Sequence, residues 1–459
     1  MLLNTWFMYK EIYIGILIPI AGILLLMYIL KLEYILLLAV FVTPLSVDLG
    51  NYDFGVSISV PGEPLLVGIL FFLFLKILLE GGVDRRILSH PVSIVILFNL
   101  SWMCITAVTS ELPLVSFKHL LSQLWFIVPV YFGGLMFFRT KINIRKFIWA
   151  YLISLIVVVF YTTWHHFSFG FSEKAGRWVM SPFYNDHTAY GAILALFIPV
   201  VFGLAADKTV SRKYRIVAML TGLLFLVALF LSYSRAAWVS VGFALAVLVL
   251  VKLHIRFKWI AISTISLLVL FFTFKAEILD KLEKNKQDAS SNFIQHIQSI
   301  SNISSDASNL ERINRWQAAL RMFSERPLVG WGPGTYQFEY APFQHANEKT
   351  IISTNFGNKG NAHSEYIGPL AESGFLGFLG MIFLVITVIY TGLKGYKKSV
   401  NYQSRLMALS VTLGLITYFV HGLMNNFLNT DKASVPFWGL VAIIVALDTY
   451  YLSEEKLLE

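Results

Sequence analysis

The sequence predicts an all-α, polytopic membrane protein with a largely helical extracytoplasmic loop domain. Hydrophobic residues make up 57% of the chain and charged residues 14%, against about 45–50% and about 25% in soluble domains. Mean hydropathy is +0.68. The apolar residues also fall in runs of the length a bilayer takes, about 20 residues per helix.

Taken in order, the runs lie at 12–30, 33–47, 63–79, 90–108, 118–138, 145–164, 188–206, 215–232, 236–252, 258–274, 366–392, 405–425 and 434–451. The N-terminus has no basic stretch followed by a small-residue cleavage site, so the first run reads as a retained helix. The second is short and contains Pro44, which allows a tilted or re-entrant path and leaves 12 or 13 spans. The predicted division is an N-terminal transmembrane bundle (1–274), an extracytoplasmic catalytic loop domain (275–362) and C-terminal transmembrane helices (363–459).

The net charge of +9 signals nucleic acid only when basic residues share a surface. Here they sit in short links between apolar runs, so no nucleic-acid partner is expected. Alternate links carry Arg85 and Arg86; Arg139, Lys141, Arg145 and Lys146; Lys208, Arg212, Lys213 and Arg215; Lys252, Arg256 and Lys258; and Lys394, Lys397, Lys398 and Arg405. The opposite short links hold only Lys118, Lys174, Arg177, Arg235 and Lys432. The positive-inside bias puts the first set in the cytoplasm and the 275–362 loop outside. For a bacterial inner membrane, that side is the periplasm. The single cysteine, Cys104, excludes an intramolecular disulfide and reads as a small core residue.

Four outward segments carry candidate chemistry. Arg235 stands in a turn of about four residues between two apolar runs, which would hold a guanidinium at headgroup level. There it can fork onto phosphate oxygens or anchor the hairpin to lipid. A helix is predicted over 309–324. Ser308 and Glu311 have capping-box spacing, and Leu310, Ile313, Trp316, Leu320 and Phe323 form an apolar stripe. Arg312 and Arg315, three apart, can approach one anion, while Glu311 can instead pair with Arg315 at i,i+4.

The segment Gly330-Trp-Gly-Pro-Gly-Thr-Tyr336 places Gly332 and Gly334 where positive φ and close backbone approach are available. It lacks the Gly-Lys-Ser/Thr ending of a phosphate-binding P-loop. The fourth segment, Asn361-Ala-His-Ser-Glu-Tyr-Ile367, puts His363 at the mouth of an apolar helix with Glu365 and Glu372 nearby in sequence. An imidazole there can act as a base near neutral pH or be structural. His165, His166, His187 and His345 match no standard metal spacing, so no metal site is expected. Residues 285–309 are polar, with Phe293, Ile297 and Ile300 at helical spacing for a short surface helix. His421-Gly-Leu-Met-Asn-Asn426 is a polar patch with no assigned part.

These four segments, in this order, resemble the O-antigen ligase family, which also includes polysaccharide polymerases and protein O-oligosaccharyltransferases. The resembling residues are Ser-Arg-Ala-Ala-Trp at 234–238; Arg312 four before Trp316, followed by Ala318, Ala319 and Leu320; Pro327-Leu-Val-Gly-Trp-Gly-Pro-Gly334; and His363 with Glu372-Ser-Gly374. The likeness covers residues 188–445, and the first 180 residues resemble the family chiefly in hydropathy.

What the resemblance implies is metal-independent, inverting transfer of a glycan from a polyprenyl (undecaprenyl) pyrophosphate carrier to an acceptor hydroxyl such as that of lipid A-core. A polysaccharide or protein acceptor is the alternative within the family, and a lipid-linked glycan transporter the alternative outside it. No cofactor is implied. Arg235 and Arg312 would bind donor phosphate, with Arg315, Arg177 and Lys118 secondary, and His363 would be the essential histidine. The four-residue spacing to Trp316 favours Arg312 over Arg315.

Overall fold

The computed structural model describes residues 17–51, 58–82, 84–254, 307–349, 353 and 360–452. The predicted span at 258–274, the surface helix around Phe293, Ile297 and Ile300, the front of the first run and the C-terminal Glu454–Glu459 lie outside the described residues. The chain is a multi-pass, all-α membrane protein. Among the described residues ten helices are long and apolar enough to cross a membrane.

The chain enters through α1 (Leu17–Leu30) and α2 (Leu32–Val42), broken at Lys31 by a non-helical backbone, φ −146° and ψ 53°. At about 1.5 Å per residue, the 11 residues of α2 cover roughly half a bilayer core of about 30 Å. The second predicted run is therefore not a span in itself. A 3-10 turn at Thr43–Leu45 with Pro44 inside ends it, and a two-residue antiparallel pairing of Val47–Asp48 with Ser59–Val60 follows.

Next come α3 (Gly62–Glu80), α4 (Pro91–Val108), α5 (Pro113–Ile127), α6 (Lys141–Ser168), α7 (His187–Ala206), α8 (Arg212–Leu231) and α9 (Arg235–Lys252). α5 runs on to Phe137 through a π turn at Val128–Gly133. Pro129 lies in that turn and supplies no N–H, so the i→i−4 ladder is broken there. The later polar segment contributes α10 (Ala307–Glu325). The chain closes with α11 (Ile367–Lys398), α12 (Tyr402–His421) and α13 (Asp431–Ala446, continuing to Tyr451).

Burial separates centre from rim. In α13, α12 and α7, 94%, 83% and 72% of the most apolar window is inside the protein, against 17% in α9. Small residues let the central helices close: Gly203 of α7 meets Ser410 of α12, and Gly414 meets the Leu196 backbone, the pattern expected where lipid offers no hydrophobic drive between helices. Cys104 is not a core residue. It is exposed on α4, where its small apolar side chain suits a lipid-facing surface as well as an interior.

The basic links gather at one end of the bundle. Arg145 pairs with Asp207 at 3.0 Å, which also accepts from Gln403. Lys394 and His90 share Asp448, and Arg86 and Lys141 lie over the Tyr450 and Tyr451 rings.

The described part of the loop forms a lobe with a small core of its own, made by Ala318, Ala319, Met322, Trp331, Tyr336, Tyr340 and Ala362 together with Ala371 of α11. α10 begins at Ala307, so Ser308 is already within the helix, and the carboxylate of Glu311 is taken by Arg315 and Ser353. The predicted capping box is therefore not what organises this helix. Its predicted apolar stripe also does not face the core. Glu311, Asn314, Arg315, Ala318, Ala319 and Met322 are buried, while Leu310 and Leu320 are exposed and Ile313, Trp316 and Phe323 half-buried.

Candidate functional site

His363 is held with φ 47°, a left-handed conformation uncommon outside glycine, and its backbone N–H donates to Asn361 Oδ1 at 3.0 Å. The turn sets the imidazole against α10, where Arg315 is waiting. One guanidinium nitrogen donates to His363 Nε2 and to the Asn361 carbonyl, each at 3.1 Å. Nε of the same arginine donates to Glu311 at 2.8 Å, and the other Glu311 oxygen accepts from Ser353. The guanidinium also lies 5.7 Å from the centre of the Tyr340 ring. Arginine has no acceptor, so Nε2 is the accepting nitrogen and the ring hydrogen resides on Nδ1.

Burial, and then the positive charges of Arg315 and Arg312, push the His363 pKa down to about 4; Asp186 and Glu311 pull the other way. The imidazole is thus neutral at neutral pH. Arg312 and Asp186 are also within electrostatic reach of His187 and His421. Four elements therefore converge: α10, the His363 turn, the first turn of α7 and the last residue of α12. Asp186 is fixed as the N-cap of α7, where Oδ1 accepts from the N–H groups of Thr188 at 2.6 Å and Ala189 at 2.9 Å. Sequence reasoning passed over it, although Asp-His-Thr before an apolar run is an N-cap signature.

Arg235 opens α9 from a tight hairpin. Tyr233 has φ 51° and donates its hydroxyl to the Phe171 carbonyl at 3.0 Å. Trp238 donates to the Leu229 carbonyl at 2.9 Å and stacks on Phe230 at 5.7 Å. Gly191, one turn into α7, leaves room for Ser232 and Ser234 against it. Arg235 is thereby placed at the end of α7 that carries Asp186 and His187.

Glu365 and Glu372 are not the partners of His363 that their place in the sequence suggested. Glu365 accepts from Tyr418 Oη at 2.8 Å and from the N–H groups of Phe427 at 2.7 Å and Leu428 at 3.0 Å. It clamps the loop between α12 and α13, and burial raises its pKa. Glu372 accepts from the N–H of Tyr336 at 3.1 Å.

The glycine turn wraps this part of α11. Gly330, Gly332 and Gly334 have φ of 67°, 113° and 74°. Trp331 and Gly332 donate to the carbonyls of Ala371 and Glu372 at 3.1 and 2.8 Å. A Cβ on Gly330 would overlap the Glu372 carbonyl, and one on Gly332 the Ser110 and Ser116 side chains. Gly374, at φ 68° and ψ −164°, kinks α11 and lets Phe375 donate to the Pro327 carbonyl at 2.9 Å. Arg326 pairs with Glu111 in the link between α4 and α5, so the turn bolts the lobe to the bundle.

A cavity of about 970 Å³ borders the site, lined among others by Lys118, Asp186, Asn361, Ser364, Glu365 and Asn426. Arg177 is exposed and paired with Glu173 at 3.1 Å. His165 and His166 bond to the carbonyls of Val179 and Ser172 at 3.1 and 2.9 Å, bracing the segment before α7.

No curated protein matches the chain. The family model described as O-Antigen ligase matches residues 218–382, a stretch that holds the Arg235 hairpin, α10, the glycine turn, His363 and the kink of α11. Over this segment the chain is similar to the O-antigen ligase family.

Proposed function

We propose that the chain is a glycosyltransferase that moves a glycan from a polyprenyl pyrophosphate carrier to an acceptor hydroxyl, such as one on lipid A-core, at the extracytoplasmic face of a bacterial inner membrane. The observation that carries this reading is the Ser353–Glu311–Arg315–His363 chain, buried at Glu311 and Arg315 and half-buried at its ends, with Arg312 beside it, at the edge of a large cavity. Its position favours Arg315 over Arg312 as the cation nearest the reacting atoms.

In the reaction the bond from the anomeric carbon to the diphosphate oxygen breaks, and the acceptor oxygen bonds to that carbon from the opposite face. The hydroxyl proton must leave, and negative charge grows on the departing lipid diphosphate. Fixed guanidinium groups at Arg315, Arg312 and Arg235 would neutralise that charge without reorganising at the moment of reaction.

Arg315 occupies the lone pair of His363. An arriving diphosphate competes for the same guanidinium, which frees Nε2 to accept the acceptor's hydrogen. It also removes one of the charges that hold the imidazole pKa low, which makes it a better base. On this reading the donor arms His363. The lipid tail would remain in the bilayer, which supplies much of the donor's binding energy.

The test is reconstitution of the purified protein with a synthetic polyprenyl-diphosphate glycan and lipid A-core, with and without EDTA. Covalent product that survives EDTA and disappears with His363→Ala is expected. Full transfer by the His363 variant sinks the proposed base, EDTA sensitivity sinks the metal-free mechanism, and lipid-linked glycan crossing the membrane without any covalent product would favour a transporter.

A further inference from the structure

His421-Gly-Leu-Met-Asn-Asn426 lies beyond the family-matched residues 218–382 and takes no part in the chemistry above, yet it is built as if to hold something. His421 is 1% exposed and Asn425 2%. Neither ring nitrogen of His421 has a hydrogen-bond partner among the described residues, nor has Nδ2 of Asn425 or Oδ1 of Asn426. Buried polar atoms are nearly always satisfied, and leaving four together unsatisfied opposes folding unless a ligand or water meets them.

The place is specific. Asn426 and Phe427 line the 970 Å³ cavity together with Asp186, and His421 is within electrostatic reach of Asp186 and Arg312. The Phe427 ring lies 5.8 Å from the imidazole. The loop is pinned by Glu365, which accepts from Phe427 and Leu428 and donates its own N–H to the Gly422 carbonyl at 2.8 Å. Since Glu365 is two residues from His363, the clamp holds the two histidine turns in register.

We infer that His421, Asn425 and Asn426 form a subsite for a hydroxyl-bearing sugar ring, beside the phosphate-binding arginines. Diphosphate is met by cations; an imidazole and two carboxamides instead offer donors and acceptors together, which match hydroxyls that both donate and accept. The subsite rests on the glycan-transfer reading and adds where the sugar lies. Two sources share this chemistry: the first sugar of the lipid-linked donor and the sugar that carries the acceptor hydroxyl.

The experiment measures binding to the whole protein in nanodiscs. The probes are a polyprenyl diphosphate bearing one N-acetylhexosamine, the same lipid diphosphate without sugar, and lipid-free core oligosaccharide. His421→Phe and Asn425→Leu replace unpartnered polar groups with apolar ones of similar size, and thermal unfolding of each is followed alongside. The expected result is unfolding at or above the wild-type temperature with affinity for a sugar-bearing probe reduced about three- to tenfold, the range of one lost neutral hydrogen bond. Affinity for sugar-free lipid diphosphate should not change.

Loss confined to the lipid-linked sugar assigns the donor, and loss confined to the oligosaccharide assigns the acceptor. Wild-type affinity for every probe in both variants, or no sugar-dependent binding by the wild type, overturns the subsite. Sugar-dependent binding with no covalent transfer by the wild type would instead remove the transferase reading and leave the subsite standing.

Discussion

Replacing Arg315 by lysine separates charge from geometry. The arginine spans three acceptors at once: Glu311 at 2.8 Å through Nε, and the Asn361 carbonyl and His363 Nε2 at 3.1 Å each through one terminal nitrogen. A lysine keeps the positive charge, but its single ammonium cannot bridge Glu311 and His363 together. The diphosphate would still be attracted, so the donor KM should stay within about threefold, while the Glu311-anchored guanidinium fork onto the departing diphosphate is lost. Hydrogen bonds to charged groups are worth about 1.5–3 kcal/mol; losing one in the transition state alone lowers kcat by roughly ten- to a hundredfold. The assay is the initial rate of glycan transfer in proteoliposomes, with donor and acceptor titrated separately. A lysine variant with wild-type kcat would refute the reasoning, because Arg315 would then act as charge only.

The remaining expectations follow from the same geometry. With its pKa held near 4, His363 stays neutral down to mildly acid pH, so the acid limb of kcat/KM, which reports the free enzyme, should lie below the ordinary histidine value of about 6.5. Arg315→Gln removes one of the charges that lower this pKa and should move the limb to higher pH; an unmoved limb would detach it from His363. Gly332→Ala forces a Cβ against Ser110 and Ser116 at φ 113°, and should cost about 1–3 kcal/mol and a lower melting temperature; an unchanged melting curve would show that the turn is not the bolt described. Glu365→Ala frees the loop between α12 and α13, and should speed hydrogen exchange at Phe427 and Leu428 while lowering transfer. Arg177→Ala breaks an exposed pair with Glu173, and should change transfer less than threefold; a larger loss would put Arg177 on the donor.

The spans were legible because an apolar run long enough to cross a bilayer has few other uses. The run at 33–47 fails for a reason also visible in the sequence, since Pro44 cuts it short of the bilayer. α10 was legible as a helix but not in its orientation. Leu310 and Leu320 announce a stripe that leaves water, yet hydropathy does not say whether the dry neighbour is protein or lipid. Here protein takes the face of Glu311, Asn314 and Arg315. The i,i+4 spacing of Glu311 and Arg315 was readable; that Arg315 would then reach His363, 48 positions on, depends on a turn whose φ no pattern of residue types encodes. Glu365 and Glu372 misled because closeness in sequence to His363 says nothing about where α12 and the glycine turn will pack.

Gly374 bears on how the molecule can be taken apart. The helix that begins at Ile367 changes allegiance at that kink: Ala371 completes the core of the lobe and Glu372 its glycine turn, whereas Gly380 and beyond pack into the bundle. A lobe excised at residue 362, where the apolar run led us to draw its edge, would leave part of its own interior behind in the membrane half. Cutting or grafting between relatives should therefore respect a seam at Gly374. An exchange made at the water–lipid border would splice two halves that were never separate bodies.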